Sequence, residues 1–586
     1  MRLTLNLVLF GVAAALAAGA TEVVSPDQVV PGSMGVCVTE MDGGEIVEIP
    51  LTVIGTVGPW TPEGEIVLVR LDDDRFRDTG IIAGMSGSPV IVDGRLLGAL
   101  AYGWSFAKEP IGGVTPFVRM ESLADPVSGS TVAAGAGRPA MTDVLEASRN
   151  GRLGEVLVDW LLPESGAGLQ HLPVAVTSTA SGIPTAGGWL AESWRRLGWQ
   201  SVPGGAGPGG DPGPLTPGAM VAGVLVDGDA VVAAGGTVTE VRGDQVWAFG
   251  HPFLGAGYVR LPMARARVVT VLPSQMSSFK FFTVGDVVGS FTSDRSHGIW
   301  GRLGATVPMV PVRVSVDGRS FSFRSLRHPN LTPVLVAYLA QASQAARGRL
   351  FGDQTVTMDI AVDYAGSEPA RYRESFSSAE APTQASALAA GVVAYLETSM
   401  FEVPDLESIT LDITTGERTS GAQLVDVVPA RRVVRPGEAL PVRLRFRPFR
   451  GDEFIRELKI VVPEGTPEGR IDLVAADGAS WSLYDLGMRP RRSGSFADEV
   501  RLVNSLVSSS TVVLALERQE GGVALDGGTV TMPPGMVVQL QSGLGANLTT
   551  TSYAVSARVD EALGMALAGA VRIELQVRMD AHAEVP

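Results

Sequence analysis

A serine flanked by glycines is the feature of this chain with the clearest capacity for chemistry. Ser86 lies between Gly84 and Gly87, so residues without a β-carbon stand close on both sides of it. Such a turn can be sharp enough to aim a hydroxyl outward while backbone N–H groups converge beside it. Acyl transfer requires both features. Ser86 is therefore a candidate nucleophile, and the N–H groups of Gly84 and Ser86 form a candidate oxyanion hole.

The residues after this serine predict a β-hairpin. The apolar run Val90–Val92 leads to the dipeptide Asp93-Gly94, and a second apolar run extends to Leu100. Asp-Gly between two such runs favours a tight hairpin turn. The serine would then lie at the mouth of a β-barrel rather than before a helix, which argues against the elbow of an α/β-hydrolase.

A general base has few candidates, because histidine occurs only at positions 171, 251, 297, 328 and 582. His251 is the best placed of these. It follows a predicted strand, a turn at Gly243-Asp244 and a second predicted strand that ends at Gly250. A histidine at the end of a strand can serve as the base of a serine-histidine pair.

Both motifs together resemble a known family. The stretch Gly80–Pro116 is similar to the serine region of the SpoIVB-type serine peptidases, and Gly235–Phe253 is similar to their histidine region. The resemblance implies relatives of the trypsin-like double-barrel enzymes and narrow regulatory cleavage or self-cleavage rather than digestion. In the typical member the histidine precedes the serine. Here Ser86 precedes His251, so either the two barrel halves are permuted or they come from different subunits, and the long segment between the motifs favours a permutation within one chain.

The resemblance also implies an acidic residue a short way upstream of the serine. The corresponding stretch is Leu71–Arg75, in which Asp72 fits the spacing best. Asp72 would accept the second imidazole N–H and hold the catalytic tautomer. Two alternatives remain open: the aspartates form a solvated turn between strands, or Asp244 supplies the acid from the histidine side.

Composition narrows the class of protein. A net charge of −16 and an isoelectric point near 4.9 argue against a nucleic-acid partner and against binding to anionic membranes. Cys37 is the single cysteine, which excludes an internal disulfide and a thiolate cluster. The scattered histidines predict no metal site, and no cofactor is expected.

The first twenty residues predict a secretory signal peptide. Arg2 precedes the apolar run Leu3–Ala18, and Ala18, Gly19 and Ala20 form a small-x-small cleavage site before Thr21. The run is shorter than a membrane span, so we expect no stable membrane insertion after cleavage. A periplasmic or extracellular location follows.

The expected fold is mainly β: a trypsin-like double β-barrel with permuted halves, a few packing helices and a C-terminal region of immunoglobulin-like β-sandwich. The helices are predicted around Asp143–Arg149, Gly188–Leu197, Leu331–Ala346 and Ala385–Thr398. The expected domains are the signal peptide 1–20, a serine-bearing barrel half 21–135, a connecting region 136–214 that ends in a Gly/Pro linker, a histidine-bearing barrel half 215–317, a helical connecting region 318–404 and β-sandwich domains 405–586.

Two function classes fit these features. The first is a secreted serine endopeptidase acting on a protein or peptide substrate through Ser86, His251 and Asp72. The second is a non-catalytic scaffold of the cell envelope built on the same barrels, with a protein partner bound by the C-terminal domains.

Overall fold

The structure is a computed structural model. It describes residues 21–61, 64–104, 107–125, 139–162, 172–178, 188–206, 213–274, 277–346, 352–488, 493–525, 528–532, 536, 539 and 549–579. The predicted signal peptide and most of the predicted Gly/Pro linker lie outside the described residues. The chain divides into two compact units that alternate along the sequence. The first comprises Met1–Ala136, Val158–Val310 and Ser322–Leu331, and the second comprises Gly137–Leu157, Pro311–Phe321 and Thr332–Pro586.

The first unit begins with a closed six-stranded barrel. Its strands are joined in the order β1-β2-β3-β6-β5-β4, and β4 pairs with β1 to close the sheet. Every second residue in the latter part of β3 faces the barrel core, namely Val67, Val69 and Leu71. The strands are β1 Met34–Glu40, β2 Ile46–Thr61, β3 Gly64–Leu71, β4 Pro89–Val92, β5 Arg95–Gly103 and β6 Ile111–Pro116.

A second six-stranded barrel lies in the same unit. Its strands are paired in the order β9-β10-β11-β14-β13-β12, and β12 pairs with β9 to close the ring. Two further strands border it: β7 pairs with β10, and β8 runs parallel to β13. The strands are β7 Val174–Ser178, β8 Trp199–Ala206, β9 Met220–Gly228, β10 Val232–Arg242, β11 Gln245–Ala248, β12 Gly257–Leu272, β13 Phe279–Arg295 and β14 Gly298–Leu303.

The two barrels share one topology. In each, the first three strands are joined in chain order and the last three return in reverse order, so that the fourth strand meets the first. Ser86 lies between the third and fourth strands of the first barrel, and His251 lies between the third and fourth strands of the second. The predicted double barrel is confirmed, with the serine-bearing barrel first in the chain.

Helices are few, as expected for a mainly β chain. The segments predicted from periodicity are helical within a few residues of the expected bounds. The helices are α1 Phe117–Met120, α2 Met141–Arg149, α3 Leu153–Leu161, α4 Trp189–Arg196, α5 Leu331–Ala345, α6 Ala381–Glu397, α7 Gly478–Met488 and α8 Phe496–Asn504, with 3-10 turns at Pro26–Gln28, Asp42–Gly44, Asp74–Phe76 and Glu121–Ala124. Among the described residues no helix is both long and apolar enough to cross a membrane.

The second unit contains a sheet in which β19 pairs with β15 on one side and with β17 on the other, followed by β18. Strand β17 has buried residues at every second position, and helix α6 packs on it. Strand β16 lies between β15 and β17 in the chain, and its residues Phe323 to Ser325 pair with β9. The strands are β15 Val310–Val316, β16 Arg319–Ser325, β17 Gln354–Tyr364, β18 Ala370–Ser378 and β19 Leu406–Gly416.

The remaining strands form two sheets that share one apolar core, a β-sandwich. An immunoglobulin-like form is not confirmed, because helices α7 and α8 connect the neighbouring strands β24 and β25. The strands are β20 Gly421–Pro429, β21 Val433–Val434, β22 Ala439–Pro448, β23 Phe454–Val461, β24 Gly469–Asp477, β25 Thr511–Leu525, β26 Gly528–Thr531, β27 Thr549–Ala562, β28 Ala566–Ala568 and β29 Ala570–Val577.

Candidate active site

The structure brings Ser86 and His251 into hydrogen-bond contact. The Nε2 atom of His251 lies 2.8 Å from the Ser86 Oγ, and its Nδ1 atom lies 2.8 Å from the carbonyl oxygen of Pro252. A carbonyl oxygen can only accept, so Nδ1 carries the ring proton and Nε2 has a free lone pair for the serine hydroxyl. This is the tautomer in which histidine acts as a base.

Both side chains are buried. Ser86 and His251 are each 1% exposed. The ring of Phe249 meets the imidazole edge-on, and Phe249 in turn contacts Phe253, which stacks on Trp199 with ring centroids 5.4 Å apart. Water is thereby kept from most of the surface of the pair.

The serine turn is held at several backbone atoms by strand β10. Gly84 and Gly87 have φ values of 96° and 98°, which favour glycine. The Thr237 N–H donates to the Ser86 carbonyl over 2.7 Å, and the Thr239 hydroxyl donates to the Gly87 carbonyl over 2.8 Å. A β-carbon on Gly87 would lie 2.0 Å from the Thr237 carbonyl oxygen, so only glycine permits this approach.

The peptide groups that precede Gly84 and Ser86 are each held by a hydrogen bond at the carbonyl oxygen. Lys280 donates its N–H to the Ala83 carbonyl over 3.0 Å, and Ser88 donates its N–H to the Met85 carbonyl over 2.9 Å. In a trans peptide the N–H points opposite to the C=O, so the N–H groups of Gly84 and Ser86 both point away from these contacts. Among the described residues no hydrogen bond from either N–H to a protein acceptor is seen.

A buried lysine contacts the threonines that hold the same turn. Lys280 is fully buried, and its Nζ atom lies 2.7 Å from the Thr39 Oγ1 and 3.5 Å from the Thr237 Oγ1. The Thr237 hydroxyl in turn donates to the Gly84 carbonyl over 2.9 Å. Burial lowers the Lys280 pKa to about 8, although the nearby carboxylate of Glu40 acts to raise it. Lys280 therefore reaches the serine turn through its backbone and its side chain.

The loop after the histidine is held by a buried carboxylate that sequence reasoning missed. Asp294 in β13 accepts the Phe253 N–H at Oδ1 over 2.8 Å and the Leu254 N–H at Oδ2 over 2.7 Å. Burial raises the Asp294 pKa to about 6, although these backbone donors act to lower it. Because Pro252 carries the carbonyl that orients the imidazole, Asp294 fixes the segment on which the tautomer depends.

The structure does not bring Asp72 to this pair. Its carboxylate accepts from the Thr52 hydroxyl over 2.5 Å and from the Arg70 Nε over 2.9 Å, and these two partners lower its pKa against the effect of partial burial. The reason is local, since residues two apart on a strand face the same side and Arg70 competes for the carboxylate. Asp244 lies in the β10–β11 turn and pairs with Arg302 over 2.9 Å.

The other residues with chemical capacity lie elsewhere. Cys37 is buried, and burial raises its pKa to about 12, so the thiol stays protonated. His328 accepts backbone N–H groups at Nδ1, and burial lowers its pKa to about 4. Positions 171 and 582 lie outside the described residues, within which no group of three potential metal ligands occurs.

Comparison with known protein families finds a match over the segment that contains Ser86. The family model described as SpoIVB peptidase S55 matches residues 11–119. The match confirms the resemblance to SpoIVB-type peptidases over the segment that carries Ser86 and Asp72, and it ends before His251. The family is one of serine-type peptidases. No curated protein matches the chain significantly, and no solved structure does.

Proposed function

We propose that this chain is a secreted serine endopeptidase of the SpoIVB type, which cleaves a narrow set of envelope proteins or itself. The observation that carries the proposal is the 2.8 Å contact between the Ser86 hydroxyl and an imidazole whose other nitrogen is hydrogen-bonded to a carbonyl. A structural serine has no need of a base in this tautomer.

The chemistry follows from the positions of these groups. The Ser86 oxygen attacks the scissile carbonyl while His251 Nε2 takes the hydroxyl proton, and the resulting oxyanion is bound by the N–H groups of Gly84 and Ser86. His251 then returns the proton to the leaving amine as the C–N bond breaks. Water repeats the sequence on the acyl-enzyme, releasing the acid and restoring the serine. No cofactor enters this chemistry.

In a catalytic triad the acid orients the histidine, and the structure offers a candidate for this role other than Asp72. The Pro252 carbonyl accepts the Nδ1 proton, and Asp294 holds the loop that carries it. We propose that this pair performs the orientation, without direct contact between the carboxylate and the imidazole. A triad role for Asp72 would require its carboxylate to leave both Thr52 and Arg70.

The burial of the pair supports narrow specificity. With Ser86 and His251 each 1% exposed, a substrate must displace part of the enclosure before its carbonyl reaches the serine. A specific substrate can supply the binding energy for such a displacement, and an arbitrary peptide cannot. The same burial also favours the second candidate function, a non-catalytic envelope scaffold, because a scaffold needs no access to Ser86.

A peptide library derived from a bacterial envelope proteome separates the two functions. The secreted full-length protein is incubated with the library, and new termini are identified by mass spectrometry. The endopeptidase predicts a small set of cleavage sites that disappears in Ser86→Ala and in His251→Ala. Cleavage that persists in both variants, or a complete absence of new termini at equimolar enzyme, favours the scaffold.

A further inference from the structure

Thr21, the first described residue, contacts a buried carboxylate of the second barrel. Glu240 in β10 is 2% exposed, and Thr21 donates both its backbone N–H and its hydroxyl to the Glu240 side chain. The nearest cation is loosely placed: Arg242 Nε lies 3.8 Å from Glu240, while the same guanidinium binds Glu121 over 2.6 Å. Glu240 is therefore a buried carboxylate that shares its one neighbouring cation with Glu121, and burial raises its pKa although Arg242 and Thr21 act to lower it.

The segment that brings Thr21 to this position is anchored to the first barrel. Leu96 donates its N–H to the Glu22 carbonyl over 2.8 Å and accepts from the Val24 N–H over 3.0 Å. Val23 packs against the apolar cluster that includes Leu96 and Trp247. Two backbone bonds and one partly buried side chain thus fix the direction from which Thr21 approaches Glu240.

Thr21 is also the residue that the predicted signal cleavage would make the first of the mature chain. Hydrolysis of the Ala20–Thr21 peptide bond by a signal peptidase consumes one water and leaves a carboxylate on Ala20 and an α-ammonium group on Thr21. The nitrogen that becomes charged is the one that already donates to Glu240. Cleavage therefore replaces a neutral donor with a cation beside a buried carboxylate whose other cation, Arg242, is 3.8 Å away and is shared with Glu121.

The carboxylate is next to the residues that hold the serine turn. Thr239, which precedes Glu240, donates to the Gly87 carbonyl, and Thr237 donates to the carbonyls of Ser86 and Gly84. An ion pair at Glu240 would anchor β10 where it determines the geometry of the nucleophile.

We propose that removal of residues 1–20 creates an ion pair between the Thr21 α-ammonium group and the Glu240 carboxylate, and that this pair completes the serine turn. The mature exported chain is then the reactive form, and the precursor is a weakly reactive one. The inference rests on the proposed function, since reactivity at Ser86 is its functional consequence.

The test compares two forms of the full chain that begins at Thr21, one with a free α-amino group and one acetylated there. Both forms are prepared in the wild-type and Glu240→Gln backgrounds, with the exposed neighbour substitution Glu22→Gln as control. The readouts are the thermal midpoint and the rate at which a fluorophosphonate labels Ser86. We expect acetylation to lower the midpoint and to slow labelling by about tenfold or more in the wild type and in Glu22→Gln, and to change neither in Glu240→Gln.

Equal behaviour of the free and acetylated wild-type chains overturns the proposal, as does an equal effect of acetylation in Glu240→Gln. If Glu240→Gln does not fold, a wild-type chain extended by two residues ahead of Thr21 must reproduce the effect of acetylation for the proposal to stand. If no form is labelled at Ser86 and the midpoints still depend jointly on acetylation and Glu240, the ion pair is supported and the proposed function fails.

Discussion

At the scale of single residues, the unusual feature of the site is that a backbone carbonyl occupies the place of a triad carboxylate. The Pro252 oxygen holds the Nδ1 proton of His251 and so selects the base tautomer. A neutral acceptor gives the imidazolium less stabilisation than a carboxylate does. The position of the carbonyl therefore matters more, and that position depends on the backbone bonds that Asp294 accepts from the loop after Pro252.

Replacing Asp294 with Asn should lower turnover by about 100-fold while KM changes by less than a few-fold. An asparagine has one acceptor oxygen, so its NH₂ group would face at least one of the backbone N–H donors and shift the loop. Small misplacements of catalytic groups cost rates of this order. The measurement is the pre-steady-state rate of Ser86 labelling together with kcat and KM on a cleaved peptide.

The matched control is Asp72→Asn, which is expected to retain activity within a few-fold of wild type because Asp72 contacts Thr52 and Arg70. An inactive, folded Asp72→Asn protein beside a fully active Asp294→Asn protein would restore Asp72 as the triad acid.

Lys280 has a predictable effect on stability as pH changes. Burial lowers its pKa from 10.5 to about 8, so between these values the unfolded chain binds more protons than the folded chain. The contribution of Lys280 to the free energy of unfolding therefore rises by roughly 3 kcal/mol in total as pH increases from about 8 to 10.5. Urea unfolding of the wild type and of Lys280→Met over this range should show the wild type gaining stability relative to the variant. A difference that is constant or falls with pH contradicts a buried ammonium group.

Residue types explain which site residues the sequence could reveal. Ser86 and His251 stand in local glycine-containing turns, and such turns carry a signal within a few positions. Asp294 carries none, because its partners are backbone N–H groups of a loop far away in sequence. The family resemblance and its spacing point to Asp72, and neither accounts for Arg70 two residues earlier, which donates to the Asp72 carboxylate.

At the scale of elements, the serine turn and β10 form a junction that tolerates no added atom at Gly87. Gly87→Ala would place a β-carbon 2.0 Å from the Thr237 carbonyl oxygen, at a φ of 98° that alanine rarely adopts. We expect a loss of stability of about 3 kcal/mol or more and no labelling of Ser86.

Gly94→Ala serves as the matched control for this substitution. Gly94 also has a positive φ, 73°, but a β-carbon there would meet nothing within 4 Å. Its expected cost is about 1 kcal/mol, with labelling retained. Denaturant midpoints and labelling rates of the two variants measure both effects, and similar losses in both would show that the junction is not the sensitive element.

The order of strands within each barrel was beyond prediction. The Asp93-Gly94 hairpin and the two strands before His251 follow from turn residues and apolar runs, which are local signals. Closure of each ring depends on β1 meeting β4 and on β9 meeting β12, and such distant pairings leave no mark in either strand alone.

At the scale of the whole molecule, the chain crosses between its two units several times, which determines where it can be cut. A chain that ends near Gly366 keeps β17 but loses β18 and β19, the strands that pair with it on either side. The apolar face of β17 would lack its neighbours, so we expect this truncation to aggregate, as seen by sedimentation. A soluble, monomeric fragment would show that β17 needs neither partner.

The central claim is that Ser86 is a nucleophile activated by His251, and covalent labelling tests it most directly. The mature chain is treated with a fluorophosphonate, and the modified peptide is identified by mass spectrometry. The account predicts a single adduct on Ser86 that forms in the wild type and in Asp72→Asn and is lost in Ser86→Ala and His251→Ala. A folded mature chain that acquires no adduct, or an adduct on Ser86 that forms equally fast without His251, would contradict it.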